Sequence, residues 1–390
     1  MTQVLSSPIK IPLLDLRAQY RRIEAEVRQA IDEVLESQQF ILGAAVEQFE
    51  KEVAAYFQCG AAIGVASGSD ALLLSLMALG IGPGDAVLVP PFTFFSTVSA
   101  ITRLGATPLF VDIDPESCLI DPKEVEATIE KRSDSQIKAM LPVHLFGQCC
   151  PMAALASLAQ RHHLHIVEDV AQAFGARTWL PEEVSKSAGT IGDLGCFSFF
   201  PTKNLGGIGD GGLVVTDQKE LADRVSMLRV HGASSKYHHQ AVGLNSRLDA
   251  IQAAVLSVKL RHLDQWREER IERARTYQSL FRETRLVGDE IISLPSLGDG
   301  RSHAFNQYVI RLQQRDDLKQ YLDKEGIRTA IYYPLPLHLQ PCFSYLGYHR
   351  GDFPNSEGVA SQVLALPMYP ELTSQQQETV VQKITDFYRS

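Results

Sequence analysis

The chain has 390 residues and a formal charge of −9, from 37 lysines and arginines against 46 aspartates and glutamates. That length exceeds one small core and predicts two or three domains, or a large domain with a smaller partner. The acidic balance argues against a nucleic-acid partner, which needs a basic surface, but leaves room for a locally basic pocket that holds an anionic small molecule.

The six cysteines (Cys59, Cys118, Cys149, Cys150, Cys196 and Cys342) form no C-x-x-C pair, and two of them adjoin. This suits neither a disulfide framework nor a zinc site, and reduced thiols in a cytoplasmic protein are expected. The N-terminal residues carry no apolar core of signal-peptide length, and no run approaches a membrane span. The histidines of HHLH (162–165) lack the spacing and acidic partner of a metal site, so no metal is expected; they read as a helix end before a strand.

From residue 61 to about 216, short apolar runs alternate with helical stretches. AAIGVA (61–66) reads as a strand and 69–80 as a helix stopped by Gly80. AVLVP (86–90) is strand-like and 95–105 helical. TPLFVDI, IKAMLPVHL and LHIVEDV are further β-rich runs, with helical segments near 122–132 and 151–163 between them. This alternation of β-branched strands with helices predicts an α/β fold with a mostly parallel sheet covered on both faces. CFSFF (196–200) and GLVVT (212–216) then read as two strands joined by a glycine-rich loop. A charged helical stretch from Ser246 to Phe281 bridges to a smaller α+β region, in which FNQYVIRL and RTAIYYP are strand-like. The Glu/Arg-rich part near 265–275 reads as a solvated helix face. The division expected is a large domain over 1–250, including the N-terminal segment, and a small C-terminal domain over 251–390.

Four places along this pattern carry possible chemistry. SGSDAL (67–72) opens a helix, where free N–H groups and the helix dipole attract an anion at Gly68 and Ser69; a plain N-cap by Ser67 or Ser69 is the alternative. PPFTFFST follows a strand end, so Phe94 can stack on a flat ligand, with Phe92 and Phe95 competing and a core role open to all three. Asp169 stands at the carboxyl end of LHIVED, where open α/β sheets bind ligands, although aspartate there also serves as an N-cap. Lys203 follows an aromatic strand and precedes five glycines, beside Phe199, Phe200, Pro201 and Leu205. Most lysines are solvated, but desolvation lowers an amine's basicity and makes it a nucleophile. An amine, a carboxylate, an anion cradle and an aromatic cover are together what pyridoxal phosphate (PLP) requires: a lysine for covalent attachment, an acid for the ring nitrogen, and seats for the phosphate and ring. Ser198 adds a hydroxyl to the cradle.

In order and spacing, IPLLDLRAQY, FILGAAVEQFE, SGSDAL, PPFTFFSTVSAI, VDIDP, PVHLFGQ, IVEDVAQAFGA, GCFSFFPTKNLG, GDGG, GLNSRLDAIQAA and LPMYP resemble the DegT/StrS-type nucleotide-sugar aminotransferases over essentially the whole chain. The resemblance implies the aspartate-aminotransferase-like fold (PLP-transferase fold type I). It makes Lys203 the PLP-bearing lysine, Asp169 the partner of the ring nitrogen and Gln172 that of the ring hydroxyl. Ser198, Gly68 and Ser69 would hold the phosphate, and Asn245 would reach the phosphate of a neighbouring subunit, implying a homodimer with shared active sites. The implied reaction moves an amino group from L-glutamate to a nucleotide-linked keto sugar. GLNSRLD and the preceding YHH look more like enzymes that aminate C3; C4 amination is the alternative. Many C3 enzymes have His-Tyr-Pro where this chain has Tyr332-Tyr333-Pro334, so that histidine is absent here. Arg229, His231, Lys236, His238 and Arg247 are candidates to meet the sugar or its diphosphate, with Tyr332 beside them, or are ordinary surface residues.

Three rival readings were weighed against this one. GIGDGG (207–212) matches a dinucleotide fingerprint but leads into a strand instead of opening a helix, which rejects it. A PLP-dependent sugar dehydratase of the same fold would carry histidine in place of Lys203. A PLP-binding regulatory or scaffold protein is compatible with the fold alone.

Overall fold

The computed structural model describes residues 10–132, 136–180, 185–296 and 302–389, so the signal-peptide reading of the first nine positions falls outside the described residues. Two helices open the chain, α1 (Leu16–Ser37) and α2 (Ala44–Phe57). Strands β1 (Ala61–Val65), β2 (Ala86–Val89), β3 (Thr107–Phe110), β4 (Ile137–Met140) and β5 (His165–Asp169) follow. After a hairpin of β6 (Arg177–Trp179) and β7 (Ser185–Ser187) come β8 (Leu194–Ser198) and β9 (Gly212–Thr216). All but the hairpin join one seven-stranded sheet in the order β1-β9-β8-β5-β4-β2-β3. Neighbours from β8 to β3 pair in parallel, and β9 alone runs antiparallel to the strands beside it.

Helices α3 (Gly68–Ala78), α4 (Phe95–Arg103), α5 (Pro122–Lys131), α6 (Met152–His162) and α7 (Lys219–Leu228) connect and cover the strands. The two-residue period of a strand sends alternate side chains to opposite faces. Ile63, Val65, Cys196 and Val214 pack into one core, whereas Ala62, Phe197, Leu213 and Val215 pack into the core on the other face. This explains why the strands read as continuous apolar runs. His163 adopts a left-handed conformation (φ 53°) that caps α6 ahead of β5, in accord with the reading of HHLH.

Past the short hairpin of β10 (Ala233–Ser235) and β11 (His238–His239), the helix expected from Ser246 to Phe281 is two helices, α8 (Ala250–Leu260) and α9 (Leu263–Arg282). The break at Arg261 and His262 lets each half serve a different core. Val255 and Val258 of α8 pack on Ile23 and Val27 of α1, and Arg261 and His262 both bond Glu26. Ala274, Tyr277 and Phe281 of α9 pack instead on the small sheet. The change of core thus falls after α8, later in the chain than residue 250, while Ile11 of the N-terminal segment packs with the small sheet and pairs with Ile327. Nor is the Glu/Arg-rich face of α9 wholly solvated: Arg270 is buried and bonds the carbonyls of Phe305 and Met368.

The remaining elements are α10 (Arg285–Gly288), β12 (Ile292–Ser293), β13 (Tyr308–Leu312), α11 (Arg315–Lys324), α12 (Pro354–Gln362), β14 (Val363–Leu366) and α13 (Ser374–Arg389). FNQYVIRL supplies β13, but RTAIYYP is not a strand. Ala330 alone bridges to Ala365, and the chain then leaves the small sheet toward Pro334 and Pro336, which have no N–H to pair. Its place is taken by β14, which completes the antiparallel order β12-β13-β14.

Beneath the end of β5, the fully buried Glu168 accepts from Gly189 N (2.8 Å), Ile191 N (2.8 Å), Gly192 N (2.7 Å) and His144 Nε2 (2.9 Å). His144 Nδ1 accepts from Cys150 N at 2.9 Å, so its proton sits on Nε2 and points at the carboxylate. Burial alone would push the Glu168 carboxyl up; His144 and the backbone donors outweigh it and hold it below the usual range. A carboxyl depressed on folding stabilises fully above its unfolded value and loses that contribution as pH falls through the folded one. Glu168→Ala should therefore cost about 3–5 kcal/mol. Glu168→Gln should flatten the acid limb of a melting-temperature profile below about pH 4. An unchanged acid limb in differential scanning calorimetry would count against the assignment.

Candidate active site

The connections that leave the carboxyl ends of β1, β2, β5 and β8 converge on a cavity of about 350 Å³. Lys203, Asp169, Gln172, Ser198, Gly68, Ser69, Phe94 and Tyr332 all line it, so eight of the residues singled out in the sequence meet in one place. A larger groove of about 540 Å³ runs between α1, α2 and α8, but its lining offers neither a lysine nor an aromatic wall.

Asp169 is buried, and burial pushes its carboxyl up. Against that, Oδ1 accepts from Ala171 N (3.1 Å) and Oδ2 from the Thr97 hydroxyl (2.8 Å), with Lys203 adding favourable charge. Thr97 is oriented in turn by Thr93 at 3.0 Å. The bond from Ala171 N is the local turn that the N-cap alternative foresaw, yet no helix follows, and the carboxylate faces the cavity. Gln172 is fixed at both ends: Oε1 accepts from Phe146 N (2.6 Å), and Nε2 donates to the Tyr333 hydroxyl (3.0 Å).

Lys203 lies just past a turn closed by its own N–H to Phe200 O at 2.9 Å. Desolvation lowers its amine to about 8, opposed by the negative charge of Asp169. The glycine loop after it is pinned from α8. Lys259 Nζ donates to Gly206 O at 2.6 Å, and Gln252 Oε1 accepts from Ile208 N at 2.8 Å. Lys259 carries no carboxylate partner there, and burial brings its amine down to about 8 as well.

The anion cradle forms where α3 begins against the end of β8. Ser67 is the N-cap, accepting from Asp70 N at 3.1 Å, which leaves Ser69 free for the cavity; its hydroxyl meets Ser96 at 2.6 Å. Gly68 sits so close to Ser198 that a Cβ there would lie 2.6 Å from the serine Cβ. Gly212 faces the same cap from β9, and a Cβ there would lie 2.3 Å from the Ser67 carbonyl carbon. Of the three phenylalanines, Phe92 is buried in the core and Phe95 stacks on Phe343 (5.4 Å, 21°). Phe94 alone lines the cavity, its ring 6.0 Å from that of Tyr333.

The remaining candidates lie elsewhere. Arg229 is not available to a substrate: it pairs with Glu50 and donates to Gly64 O at 2.8 Å. His231, Lys236, His238 and Asn245 are exposed, and neither they nor Arg247 line this chain's cavity. Asn245 faces outward from a segment anchored to the cradle, where Ser246 Oγ accepts from Ala66 N at 3.2 Å. Tyr333, Ser96, Thr97 and Asp210 were not foreseen as site residues. An alternating apolar pattern carries no signal for them, although Thr97 stands two positions past the phenylalanines already noted.

These groups fit the phosphate, ring and aldehyde of PLP, and the protein is a PLP-dependent transaminase. It belongs to the DegT/DnrJ/EryC1/StrS aminotransferase family, whose profile matches residues 21–385. It is 48% identical to the "pleiotropic regulatory protein" of Geobacillus stearothermophilus (98% of this chain, 99% of that protein). It is 43% identical to the Streptomyces venezuelae dTDP-3-amino-3,4,6-trideoxy-α-D-glucose transaminase (97% and 96%). The same identity holds for the Acidithiobacillus ferrooxidans UDP-N-acetyl-3-dehydro-α-D-glucosamine 3-aminotransferase (94% and 95%). The crystal structure of S. venezuelae DesV, in complex with a ketimine intermediate, superposes with a TM-score of 0.92 at 42% identity, covering 98% of this chain and all of that one.

Two outcomes test the site. PLP capture by apoprotein should rise through about pH 8 and level off above it, and Asp169→Asn should move that midpoint lower by removing the charge that favours the ammonium. A stopped-flow pH profile with no inflection below pH 10 would refute a depressed lysine. Gly68→Ala should weaken PLP binding by roughly tenfold or more, because α3 must retreat from Ser198 and one charge-assisted contact is worth about 1.5–3 kcal/mol.

Proposed function

We propose that this enzyme transfers an amino group from L-glutamate to C3 of a nucleotide-linked keto sugar, as a homodimer with shared active sites in the cytoplasm. The C3 choice rests on the GLNSRLD segment and on two relatives whose names place the amine at that carbon. The cytoplasmic setting rests on the cysteine spacing, which has no C-x-x-C pair and suits reduced thiols better than a disulfide framework. A regulatory role without turnover, which the name of one relative suggests, gives no reason for a depressed amine facing a buried carboxylate.

The shared site follows from charge. Among the described lining residues, Lys203 is the only cation, and Asp210 adds a carboxylate. A sugar diphosphate and the carboxylates of glutamate all need positive charge, which a second copy of the chain can supply. Arg247 and Lys236 supply it in the dimer we propose, with Asn245, His231 and His238 as further hydrogen-bonding groups.

When bound, PLP supplies an electron sink for the carbon that loses its proton. Asp169 keeps the proton on the ring nitrogen. Gln172 and Tyr333 form a fixed pair beside the ring hydroxyl, and Phe94 covers one face against water. Ser69, Ser198 and the N–H groups that open α3 hold the phosphate. Lys203 would hold the cofactor covalently and, when free, would serve as the base that moves the donor's Cα proton, a task suited to an amine lowered to about 8. The sugar half-reaction runs the same steps in reverse.

L-Glutamate should bleach the visible band of the purified protein, a 3-keto nucleotide sugar should restore it, and Lys203→Ala should do neither. NMR of the product should show nitrogen on C3; nitrogen on C4 would replace the regiochemistry proposed. Mixing Lys203→Ala with Asn245→Ala, each inactive alone, should restore about a quarter of the wild-type sites after subunit exchange. No recovery in an exchanged sample would sink the shared site.

A further inference from the structure

Beside the cofactor pocket lies a smaller cavity of about 60 Å³ that shares Thr202, Gln307 and Tyr332 with it. Asn306 completes its polar side, and the opposite wall is apolar, made by Leu13, Leu14, Leu366 and Met368. The frame around it is well tied. Met368 N donates to Leu13 O at 3.1 Å, and the buried Arg270 bonds the carbonyls of Phe305 (3.2 Å) and Met368 (3.1 Å) on either side.

Asn306 is only 7% exposed, yet among the described residues neither its Oδ1 nor its Nδ2 has a hydrogen-bond partner; the same holds for Gln307 Oε1. An amide left unmatched in a buried place opposes folding, so groups of this kind require an explanation. Both residues line this chamber together with Thr202, the residue next to the reactive lysine.

We infer that this annex receives an acetamido substituent on the sugar carbon next to the one aminated, which makes the acceptor a 2-acetamido-3-keto sugar. This rests on the sugar-amination reading above. Either orientation of the Asn306 amide presents both a donor and an acceptor. An acetamido group offers the complement: its carbonyl accepts from Nδ2, and its N–H donates to Oδ1 of Asn306 or Oε1 of Gln307. Its methyl covers the wall of Leu13, Leu14, Leu366 and Met368. A carboxylate does not suit the annex, because no cation is among the described residues that line it. A hydroxyl would satisfy one amide and leave the apolar wall uncovered.

The test uses the PLP-loaded enzyme in the reverse half-reaction, with two amino sugars as probes. These are UDP-2-acetamido-3-amino-2,3-dideoxyglucose and UDP-3-amino-3-deoxyglucose, which carries a hydroxyl at C2. The wild type should convert the acetamido sugar with a specificity constant roughly 100-fold higher, the scale expected when a methyl pocket and paired hydrogen bonds act together. Asn306→Leu should bring that preference down to within about threefold, and Gln307→Met should lower it in part. Equal rates for both sugars in the wild type, or an undiminished preference in Asn306→Leu, would overturn the annex while leaving sugar amination intact. If the leucine variant does not fold, the wild-type ratio decides alone. Should neither sugar change a band that L-glutamate does change, the sugar-amination reading fails and this assignment falls with it.

Discussion

The site is organised by an amine and a carboxylate that share one poorly hydrated cavity. Burial works against the charged form of each, lowering the Lys203 amine and raising the Asp169 carboxyl. Each also supplies the charge that steadies the other, so neither basicity is set by its own surroundings alone. Thr97, the Ala171 N–H and the positive charge of the lysine oppose that rise at Asp169. This is why the pair needs to be rigid before anything binds.

Rigidity comes from the layers behind the pair. Glu168, adjacent to Asp169 but pointing to the opposite face of β5, gathers three backbone donors and His144 and so fixes the strand end that carries the aspartate. On the other side, α8 grips the glycine loop through Lys259 and Gln252. Those glycines provide close packing, and their backbone freedom would blur the position of Lys203 without these two bonds. Lys259 gives up solvation to make its contact, a cost that a merely decorative residue would not bear.

The sheet and the chemistry were legible in the sequence for a shared physical reason. Strands buried on both faces produce uninterrupted β-branched runs, and ligands of open sheets gather where those runs end. Asp169, the start of α3 and Lys203 therefore stood out without tertiary information. What was not legible depends on which core claims an element. Nothing local marks the turn at Arg261 and His262, since no proline or glycine stands there; the need of α8 and α9 to serve separate cores bends the chain. RTAIYYP has strand composition, but its tyrosines are claimed by the cavity. α1 buries only Ile23, Val27 and Val34 of a polar sequence, a narrow stripe at helical spacing. Arg229 and Arg270 looked like surface charge because pairing with Glu50, or with carbonyls, is a fact of three dimensions.

The same geometry bears on how two sites in a dimer would relate. Residues 245–260 form one continuous piece: Asn245 faces outward, Ser246 bonds the start of the cradle, Leu248 presses on Gly64, and Gln252 and Lys259 hold the lysine loop. In the dimer proposed above, the outward end of this piece touches the neighbour's phosphate while its inward face supports this chain's own lysine. Among the described lining residues the pocket holds one cation, so the dimer proposed would add the charge it lacks. The partner would complete the charge of the site and would press on the helix that sets the lysine in place. Packing and charge then favour the same assembly, and neither requires the pocket itself to move.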